Sequence, residues 1–389
     1  MKNNTVVEVG IAYHYVAHYR KAVFSLLCQD RGNNLRYSIL ADEKSNIPSI
    51  KVLTSDPQSS GENLARRWIN LDNLWLSNNI LWQRGIISVA MGSRFNVLIL
   101  LGNVYFISTW VAVVLARLRG KKVYFWTHGY RDEEKGLKGK LRLFFYRLAD
   151  GLLLYGNYAR DILIKKGYPE EKIRVIYNSL DYGDQTSRLS KVSNEDKVEK
   201  RQELGLGISD KVIIASGRIT REKRFDLLID AIAQLNTGHK DIYKLIVIGD
   251  GSELGAVQQR ALELSVADNI IFYGACYEES ELAILISMSD VFVVPGDIGL
   301  SGIHSLTYGT PVITHNDFAT HKPEFEAIVD GVNGAFYQKG DVSDMVDKIK
   351  YWVCQDRSNT FDACRSIIQE KYTPANQVRV IDQAVMDEL

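Results

Sequence analysis

Cysteine is scarce in this sequence: there are four in 389 residues, and no two of them are spaced as Cys-x-x-Cys. This scarcity argues against a disulfide framework, which needs many cysteines, and against a structural zinc site built from paired thiolates. Residues 1–8 lack the basic and then apolar layout of a secretion signal, so we expect a reducing, cytoplasmic location.

Long apolar runs are also few. The segment from Val97 to Leu118 is long enough to span a bilayer, and Arg117 is its only charged residue. Gly102 and Asn103 interrupt it, however. The pattern therefore favours a buried strand at Val97–Leu101 followed by a helix from Phe106 to Leu118 over a transmembrane helix.

Net charge is absent overall, with 47 Lys+Arg and 47 Asp+Glu, but the charges are unevenly distributed. Residues 1–180 contain 26 basic and 14 acidic residues, and the remainder has the opposite balance. A basic half attracts anionic partners such as phosphorylated lipid, a membrane surface or nucleic acid. Equally, the two halves can simply neutralise each other, and the sequence leaves both interpretations open.

Short apolar segments alternate with helical patterns in the first half of the chain. The expected strands are Val6–Ile11, Tyr37–Leu40, Val97–Leu101, Val123–Trp126, Gly151–Tyr155 and Ile173–Ile176. Helices are expected between them, for example at Tyr19–Leu27 and Leu74–Ala90. This alternation predicts a parallel sheet wrapped by helices, in which ligands bind at the carboxyl ends of the strands.

The alternation stops over residues 183–210 and then restarts. That stretch is rich in Ser, Lys, Asp and Glu, which is typical of an inter-domain linker, with a short helix at Asn194–Leu204. The later strands are expected at Val212–Ala215, Leu245–Ile248, Ile270–Tyr273, Val291–Val294 and Pro311–Thr314. We therefore predict an α/β chain with two Rossmann-like, doubly wound domains, 1–182 and 211–370, facing an inter-domain cleft. The last segment, 371–389, is predicted to be a helix that packs back on the N-terminal domain.

The strongest local pattern is Ser216–Asp226, which follows a strand and opens a helix. Gly217 allows a sharp turn, and four cations follow it. These are Arg218, Arg221, Lys223 and Arg224. Cations beside the backbone N–H groups of a helix start form an anion site suited to phosphate, although helix-flanking charges in a solvated loop give the same pattern.

Two glycine-rich turns also follow expected strands. Gly249-Asp250-Gly251 would let a ligand approach the backbone, but paired glycines are equally common in plain turns. In Pro295–Ile313, a strand runs into a glycine-rich turn and then a helix, for which Ser301 is the expected N-cap. His304 lies one turn into that helix. A lone helical histidine is more often structural, so His304 is a candidate because of its neighbours.

Together these motifs resemble the retaining glycosyltransferases of family 4, which have the GT-B fold. The resemblance rests on the order Gly-Arg-x-x-x-x-Lys, Gly-Asp-Gly and Gly-Thr-Pro-Val-Ile, and on residues 326–334 followed by Gly340-Asp341. Residues 18–20 and 173–181 match the same family in the first half. The likeness covers nearly the whole chain and is strongest over 212–341.

The resemblance implies roles for individual residues. Arg218 and Lys223 would hold the diphosphate of a nucleotide sugar, and His128 would lie near the reacting sugar or the acceptor. The implied donor-binding residues are Gly217, Gly249, Asp250, Gly251, Cys276, Asp297, Gly299, Leu300, Ser301 and His304, and the implied acceptor-binding residues are His18, Tyr19 and Arg20. The N-terminal domain would bind the acceptor, and the C-terminal domain would bind the nucleotide sugar.

This chain departs from the family at two glutamates. Alignment on Gly309-Thr310-Pro311 puts Gly296 and His304 at their positions. His304 can still exchange one hydrogen bond with a ribose hydroxyl, whereas Gly296 cannot contact the donor sugar and neighbouring Asp297 is its candidate substitute. The glycine pair that many members carry in the first domain is also missing, because residues 12–20 contain no glycine.

The resemblance implies a glycosyltransferase that acts with retention of configuration on a glycan or polyprenyl-diphosphate-linked acceptor in bacterial surface polysaccharide synthesis. No cofactor or metal is expected, because the chain has no Asp-x-Asp and the two cations can stabilise the leaving group. A catalytically retired relative that binds a sugar nucleotide and a sugar-nucleotide epimerase are the alternatives. No nucleic-acid-binding module is recognisable.

A basic and apolar segment, Lys135–Arg147, suggests how the acceptor is reached. Leu137, Leu141, Phe144 and Phe145 lie at helical spacing and can form a face that inserts at a membrane interface. An ordinary surface helix with its apolar stripe in the core has the same pattern. Together with the basic first half, the segment motivates the hypothesis of peripheral docking on the anionic inner face of the cell membrane.

Overall fold

The computed structural model describes residues 6–47, 50–130, 136–238 and 242–387. The chain divides into two compact units: Met1–Asp181 with Thr373–Leu389, and Tyr182–Tyr372. Each unit is built on its own parallel sheet flanked by helices, as the strand–helix alternation predicts.

The first unit contains a seven-stranded sheet in the order β3-β2-β1-β6-β7-β8-β9, with every neighbouring pair parallel. Its strands, with the antiparallel hairpin β4–β5, are β1 (Val7–Tyr15), β2 (Leu35–Asp42), β3 (Trp68–Asn70), β4 (Asn73–Trp75), β5 (Leu81–Gln83), β6 (Val97–Leu101), β7 (Lys122–Thr127), β8 (Gly151–Leu154) and β9 (Ile173–Val175). Its helices are α1 (Lys21–Cys28), α2 (Pro57–Ser60), α3 (Glu62–Arg66), α4 (Ile86–Met91), α5 (Ile107–Leu118), α6 (Gly136–Tyr146) and α7 (Asn157–Lys165).

Two predictions for the first unit have different outcomes. The run Val97–Leu118 is a buried strand, β6, followed by helix α5, as expected. Among the described residues, no helix is both long and apolar enough to cross a bilayer. The expected helix at Leu74–Ala90 is wrong: the segment forms most of the β4–β5 hairpin and only then enters α4 at Ile86.

The second unit contains a six-stranded parallel sheet in the order β12-β11-β10-β13-β14-β15. Its strands are β10 (Lys211–Ser216), β11 (Tyr243–Ile248), β12 (Ile270–Gly274), β13 (Val291–Val294), β14 (Val312–His315) and β15 (Gly334–Tyr337). Its helices are α8 (Tyr182–Leu189), α9 (Asn194–Glu203), α10 (Phe225–Asn236), α11 (Leu254–Glu263), α12 (Glu279–Met288), α13 (Leu300–Thr307), α14 (Val342–Trp352) and α15 (Arg357–Lys371).

The strands of the second sheet are nearly continuous apolar segments because helices cover both faces. Ile213, Leu245, Val293 and Ile313 are fully or almost fully buried in one core with residues of α10 and α14. The order of the sheet brings the carboxyl ends of β10, β11, β13 and β14 to one edge. The loops after those strands carry most of the donor-site predictions.

The segment 183–210, expected to be an inter-domain linker, is part of the second unit. Its two helices, α8 and α9, both pack against α12. Ser193 begins α9 with a capping box, because its side chain accepts from Asp196 N–H while the Asp196 carboxylate accepts from Ser193 N–H. The polar composition therefore reflects exposed helix faces and not an irregular connection.

The final helix, α16 (Pro374–Met386), belongs to the first unit and packs against α1. Asp382 on α16 accepts a 2.7 Å hydrogen bond from the Tyr37 hydroxyl and pairs with Arg31. Ser179 donates to the Gln377 side chain at 2.7 Å. These buried polar contacts hold the end of the chain to the first sheet.

Candidate functional site

The glycines after β10 and β11 let two loops of the second unit pack against each other. A Cβ on Gly249 would lie 1.9 Å from the Gly217 carbonyl oxygen, and one on Gly251 would lie 2.2 Å from the Ile219 carbonyl oxygen. Ile219 N–H donates to the Asp250 carbonyl at 2.9 Å. The two glycines of Gly-Asp-Gly thus serve backbone-to-backbone contact, and the exposed Asp250 side chain accepts from Gly251 N–H.

Gly296, after β13, is required by the same kind of contact. A Cβ on this residue would lie 2.0 Å from the carbonyl oxygen of Glu222. The next residue, Asp297, donates its N–H to that oxygen at 3.3 Å. A side chain as large as glutamate at position 296 would collide with the backbone of the β10 loop, so this position requires glycine.

A cluster of cations lies at this edge of the sheet. Lys223 donates to the Asp297 carbonyl oxygen. Burial lowers the pKa of Lys223, the Asp297 carboxylate raises it, and the nearby Lys322 and Arg218 lower it further. The predicted pair Arg218 and Lys223 is therefore close in space, and Lys322 joins it from the loop after β14.

The other two cations of the predicted phosphate loop are placed differently. Arg221 is exposed. Arg224 has a left-handed backbone, with φ of 51°, and its guanidinium pairs with Asp226 at 2.8 Å on the exposed side of α10. The four cations thus divide into a pair near the sheet edge, Arg218 and Lys223, one exposed residue, Arg221, and one residue that is paired locally, Arg224.

Helix α13 starts two residues earlier than predicted. Gly299, and not Ser301, is the residue that precedes the helix, and no side chain caps it. Helix α13 begins at Leu300, so Ser301 is already inside it, whereas an N-cap residue needs a non-helical backbone. Helix α13 nevertheless begins in the loop that follows β13, at the carboxyl edge of the sheet.

His304 is engaged by an acidic residue that the sequence did not single out. Its Nε2 lies 2.7 Å from Glu279 Oε1 on α12, and Tyr308 and Gln185 donate to the same oxygen. Burial raises the pKa of Glu279, but the hydrogen bonds from His304, Tyr308 and Gln185 outweigh it and lower the pKa to about 2. The pair places a carboxylate next to the position where the family carries its second glutamate.

The loop after β12 lies beside the glycine loop. Gly249 N–H donates to the Gly274 carbonyl at 2.8 Å. Cys276 is partly buried, and burial raises the pKa of its thiol. This contact puts the loop that carries Cys276, one of the implied donor-binding residues, next to the Gly-Asp-Gly turn.

The carboxylate of Asp297 and the imidazoles of His315 and His321 also meet at this edge. No metal site is predicted here from the sequence. Side-chain ligand atoms of Asp297, His315 and His321 lie within 4.8 Å of one another. The two rings stack with centroids 4.1 Å apart, and both histidines are buried. Burial lowers the pKa of His315 to about 3, so its ring is neutral at physiological pH.

The first unit contains a cavity of about 690 Å³ at the carboxyl edge of its sheet. Its lining is dominated by aromatic side chains: Tyr13, Tyr15, Tyr19, Trp75, Tyr105, Phe106, Trp126 and Tyr155. His128, Arg20 and Arg142 supply polar groups to the lining. Aromatic faces with a few polar groups suit a ligand with both apolar faces and hydroxyl or anionic groups.

The predicted acceptor residues are placed unequally around this cavity. Arg20 is buried, donates to the Tyr155 hydroxyl at 2.7 Å and lies over four aromatic rings. Tyr19 and His128 line the cavity, and the His128 ring lies 4.7 Å from that of Tyr155. His18 is exposed, hydrogen-bonds to the Lys51 carbonyl at 3.3 Å and does not line the cavity, although its ring lies 5.7 Å from that of Tyr19.

His14 is a lining residue that sequence reasoning missed. Burial lowers its pKa to about 4, with a further contribution from Arg20. Within the described part of the chain, its buried Nδ1 has no hydrogen-bond partner. It ends an apolar strand, β1, so only its place at the carboxyl end could have marked it as a candidate.

Comparison with known proteins finds a family model that is similar to much of the second unit. Residues 196–372 match the family model described as Glycosyl transferases group 1. The matched residues lie within the second unit. The match covers somewhat less than half of the chain.

Relatives with known names align mainly over part of their length. Alpha-monoglucosyldiacylglycerol synthase of Streptococcus pneumoniae is 28% identical over 178 residues, 44% of this chain and 39% of the relative. Lipopolysaccharide 1,6-galactosyltransferase of Escherichia coli is 25% identical over 256 residues, 64% of each chain. The chain matches less than half the length of the first of these relatives.

Solved structures resemble the whole chain. Anabaena Alr3699/HepE, crystallised in complex with UDP, has a TM-score of 0.74 and 15% identity, with 98% of this chain and 100% of that chain covered. At this identity, the likeness defines the fold. The two Rossmann-like units thus form a GT-B fold, which confirms the predicted fold class.

Proposed function

We propose that this protein is a glycosyltransferase that moves a sugar from a nucleoside diphosphate sugar to a glycan or lipid-linked glycan acceptor. The observation that carries the proposal is the proximity of Lys223, Arg218 and Lys322 at the carboxyl edge of the second sheet, inside the glycosyl transferases group 1 domain. Cations at this edge, beside the start of α13, suit a diphosphate. The UDP bound to the Anabaena relative makes uridine diphosphate sugars the first donors to test.

The chemistry follows from where charge develops. As the bond between the anomeric carbon and the diphosphate oxygen breaks, negative charge grows on the diphosphate and the sugar becomes cation-like. Fixed cations aimed at the leaving oxygen lower this barrier without a metal, and losing one such group typically costs ~10²–10³ in rate. Lys223 suits this role because its ammonium group is held in place by the Asp297 carbonyl.

We further propose retention of configuration by front-face attack. The acceptor oxygen bonds to the anomeric carbon on the side from which the nucleoside diphosphate leaves. The acceptor proton moves to the departing phosphate oxygen, so no pair of protein carboxylates is needed, in contrast to a glycosidase. This mechanism requires neither a cofactor nor a metal.

The aromatic cavity of the first unit supports an acceptor that contains sugar rings. Its aromatic faces can stack on sugars, while Arg20 and Arg142 can bind a phosphate or another anionic group. His128 is the candidate to contact the acceptor hydroxyl or the reacting sugar. A glycan attached to a lipid diphosphate combines these features and agrees with a place in bacterial surface polysaccharide synthesis.

The exposed face of α6 supports delivery of that acceptor from a membrane. Leu137, Leu141 and Phe144 are exposed, by 82%, 52% and 57%, while Phe145 alone of the predicted face is buried. Neighbouring α5 exposes a second apolar stripe, and Trp110 on α5 contacts the Phe144 ring. That stripe consists of Ile107, Val111, Val114 and Leu118.

Charge complementarity favours an anionic lipid surface as the partner of this two-helix face. Neither α5 nor α6 contains an acidic residue, and Lys138 and Lys140 are exposed beside the apolar groups. Lys135, part of the predicted segment, lies outside the described residues. Because Arg142 on α6 also lines the aromatic cavity, a membrane-bound α6 would hold the cavity near lipid-linked acceptors.

The activity is tested by following nucleoside diphosphate release from UDP-glucose, UDP-galactose, UDP-N-acetylglucosamine and GDP-mannose, with and without lipid-linked acceptor. Lys223→Ala and Arg218→Ala should each lower turnover by ~10²–10³-fold. Arg224→Ala, whose cation is paired with Asp226, is the matched control and should change turnover less than about threefold. Turnover should survive EDTA.

Unchanged turnover in both cation variants would refute this site. Binding of a sugar nucleotide by the wild type without any turnover would instead indicate a catalytically retired relative. Conversion of the donor to an isomeric sugar nucleotide would indicate an epimerase.

Membrane contact is tested by flotation with neutral vesicles and with vesicles that contain 30% anionic lipid. The wild type should float with the anionic vesicles, and Leu141→Ser combined with Phe144→Ser should reduce binding at least fivefold. Ile208→Ser, at an exposed apolar residue of the second unit, is the control and should bind as the wild type does. Equal binding to neutral vesicles, or none to either, would refute the docking proposal.

A further inference from the structure

The second unit contains a cavity that is separate from the candidate donor site. Its volume is about 580 Å³, and it is lined by α9, by the end of α12 and by the start of α15. A cavity of this size accommodates a small molecule. Its lining includes three cations and three apolar side chains: Lys197, Arg201, Arg357, Val198, Met288 and Phe361.

This cavity lies at the amino edge of the second sheet. The Arg357 guanidinium donates to the carbonyl oxygens of Ser287, at 2.7 Å, and of Ser289. It also donates to the Thr310 hydroxyl at 3.4 Å. Ser289 comes just before β13 and Thr310 just before β14, whereas the predicted donor loops follow the strands of this parallel sheet. A ligand in the cavity would therefore bind at the opposite edge from the donor.

The three cations of the cavity have no carboxylate partner. Arg357 donates only to neutral oxygens, and Arg201 donates to the Gly207 and Asp210 carbonyl oxygens at 2.7 and 2.8 Å. The Lys197 ammonium makes no hydrogen bond within the described part of the chain, and none of the three cations forms an ion pair there. Positive charges that are gathered in a cleft without counter-charges repel one another and attract an anion.

Lys197 is the cation that the fold itself does not use. Burial lowers the pKa of its ammonium group, and the nearby Arg357 charge lowers it further. The carboxylates in the neighbourhood do not compensate, because Asp290 accepts a 2.7 Å hydrogen bond from Val212 N–H and Asp362 is exposed. A charge at position 197 thus contributes no described contact to the folded chain, whereas a bound anion would give it a partner.

We propose that this cavity binds the phosphate group of a small soluble molecule through Lys197, Arg201 and Arg357. Several cations from different helices suit an anion that carries more than one charge, and both residue types are common phosphate ligands. Val198 and Phe361 offer apolar surface to the rest of the molecule. Of the large apolar side chains exposed in the described chain, Val198 alone lines the cavity, so a lipid bilayer finds no apolar face here. The inference is independent of the proposed function.

The test uses pyrophosphate as the probe and measures its binding to the full-length protein by isothermal titration calorimetry, in about 150 mM NaCl to screen weak surface attraction. We expect two classes of site in the wild type, one in this cavity and one at the donor cations. Lys197→Met should weaken the first class at least about tenfold. Lys223→Ala should weaken only the second class. Lys191→Met, at an exposed lysine just before α9, is the matched control and should bind as the wild type does.

A stability measurement separates ligand binding from a role in the fold. In phosphate-free buffer, Lys197→Met should unfold at the same temperature as the wild type or at a higher one, because the ammonium group makes no hydrogen bond and lies near another cation. A ligand that binds the folded state raises the unfolding temperature by mass action. Pyrophosphate should therefore stabilise Lys223→Ala, in which this cavity is intact, but not Lys223→Ala combined with Lys197→Met.

The inference is overturned if Lys197→Met binds pyrophosphate as the wild type does, or if Lys223→Ala abolishes all binding. It also fails if Lys197→Met is less stable than the wild type in phosphate-free buffer, since Lys197 would then serve the fold. Lys197→Met should float with anionic vesicles to the same extent as the wild type, and a loss of flotation would identify a lipid headgroup as the ligand instead. If the donor cations bind no pyrophosphate, only the candidate donor site fails, because Lys197→Met should still remove the remaining class.

Discussion

The two units hold their candidate ligand sites in different ways. In the second unit, loops after neighbouring strands touch through their backbones, and Gly249, Gly251 and Gly296 are placed where a side chain would collide. In the first unit, the cavity is lined by aromatic side chains from several elements, around the buried Arg20. One site thus depends on main-chain contact and the other on side-chain packing.

This difference has consequences for specificity. Backbone contact between loops fixes the positions of Lys223 and Asp297 before any ligand arrives, which suits a group of constant shape such as a diphosphate. A cavity lined by side chains can change its shape by substitution without moving the main chain. Under the proposed function, acceptor preference can therefore vary in the first unit, whereas the geometry of the second unit must be kept.

Among the substitutions that test this comparison, Gly249→Ala is expected to change the free energy of unfolding most. The new Cβ would lie 1.9 Å from the Gly217 carbonyl oxygen, on a backbone with φ of 144°. We expect the free energy of unfolding of the second unit to fall by about 3 kcal/mol, because the obstacle is backbone that cannot move aside. Urea unfolding followed by circular dichroism measures the change.

Gly255→Ala is the matched control for Gly249→Ala. It lies in α11 with open space around the added Cβ, so stability should rise by about 0.5–1 kcal/mol through helix propensity. If Gly249→Ala is as stable as the wild type, the loops are not held together by backbone contact and the contrast between the units is lost.

A second, smaller effect on stability is expected at Glu279, whose carboxylate pairs with His304. Its pKa in the folded protein, about 2, is below the ordinary 4.5, so its contribution to stability is present above pH 4.5 and is lost as pH falls towards 2. The shift corresponds to at most about 3 kcal/mol. Glu279→Gln should lower the free energy of unfolding at pH 7 by about 2 kcal/mol, and the difference from wild type should shrink as pH falls from 4.5 to 2.5.

The comparison is made by urea unfolding at pH 7, 4.5 and 3. Glu278→Gln, one residue earlier and exposed, should change stability by less than about 0.5 kcal/mol at every pH. A wild-type-to-Glu279→Gln difference that stays constant with pH would show that the hydrogen bonds of Glu279 do not depend on its charge.

The second unit could be predicted further than the first because its signals are local in sequence. Glycines and cations directly after apolar strands mark a ligand edge, and Arg218 and Lys223 indeed lie close together. The reason for the glycines was not predictable, because both serve contact between loops that are distant in sequence. Gly249 packs on a residue more than 30 positions earlier, and Gly296 on a residue more than 70 positions earlier. Ser301 was assigned as the N-cap because composition alone cannot locate a helix start within one turn.

Contacts between distant segments account for the residues that were missed. The predicted strand Pro311–Thr314 ends just before His315, and only the pairing of β13 with β14 brings His315 close to Asp297. Glu279 reaches His304 because α12 and α13 lie close together, which periodicity does not reveal. The sequence of segment 183–210 indicates a linker because exposed helices and linkers share a polar composition.

The aromatic cavity was the least predictable feature. Its aromatic side chains come from separate elements: Tyr13 from β1, Trp75 from β4, Trp126 from β7 and Tyr155 from directly after β8. In the sequence, each has the character of an ordinary core residue of its own element. Only His128, Tyr19 and Arg20 were expected there, through a family resemblance. A cavity made by side-chain convergence leaves no local pattern in the sequence.

The smallest expected effect is that of a substitution at Arg20, in the first unit, on transfer to the acceptor. Its guanidinium donates to Tyr155 and lies over the Tyr13 and Trp126 rings, while the Tyr155 hydroxyl keeps a second partner in Tyr13 at 3.0 Å. Arg20→Met preserves most of the volume and removes the charge, so we expect transfer to the acceptor to fall about tenfold, or 1.4 kcal/mol. Nucleoside diphosphate release without acceptor should not change, because no contact in the second unit is altered.

The contrast between the units decides how this last result is interpreted. Product formation is measured with radiolabelled donor, and Arg66→Met, at an exposed arginine of α3, is the matched control that should leave transfer unchanged. A fall in transfer with unchanged donor turnover means that the two units recognise their ligands separately. An equal fall in both rates would mean that the buried guanidinium supports the reaction itself, because a residue that binds only the acceptor has no means of slowing donor hydrolysis.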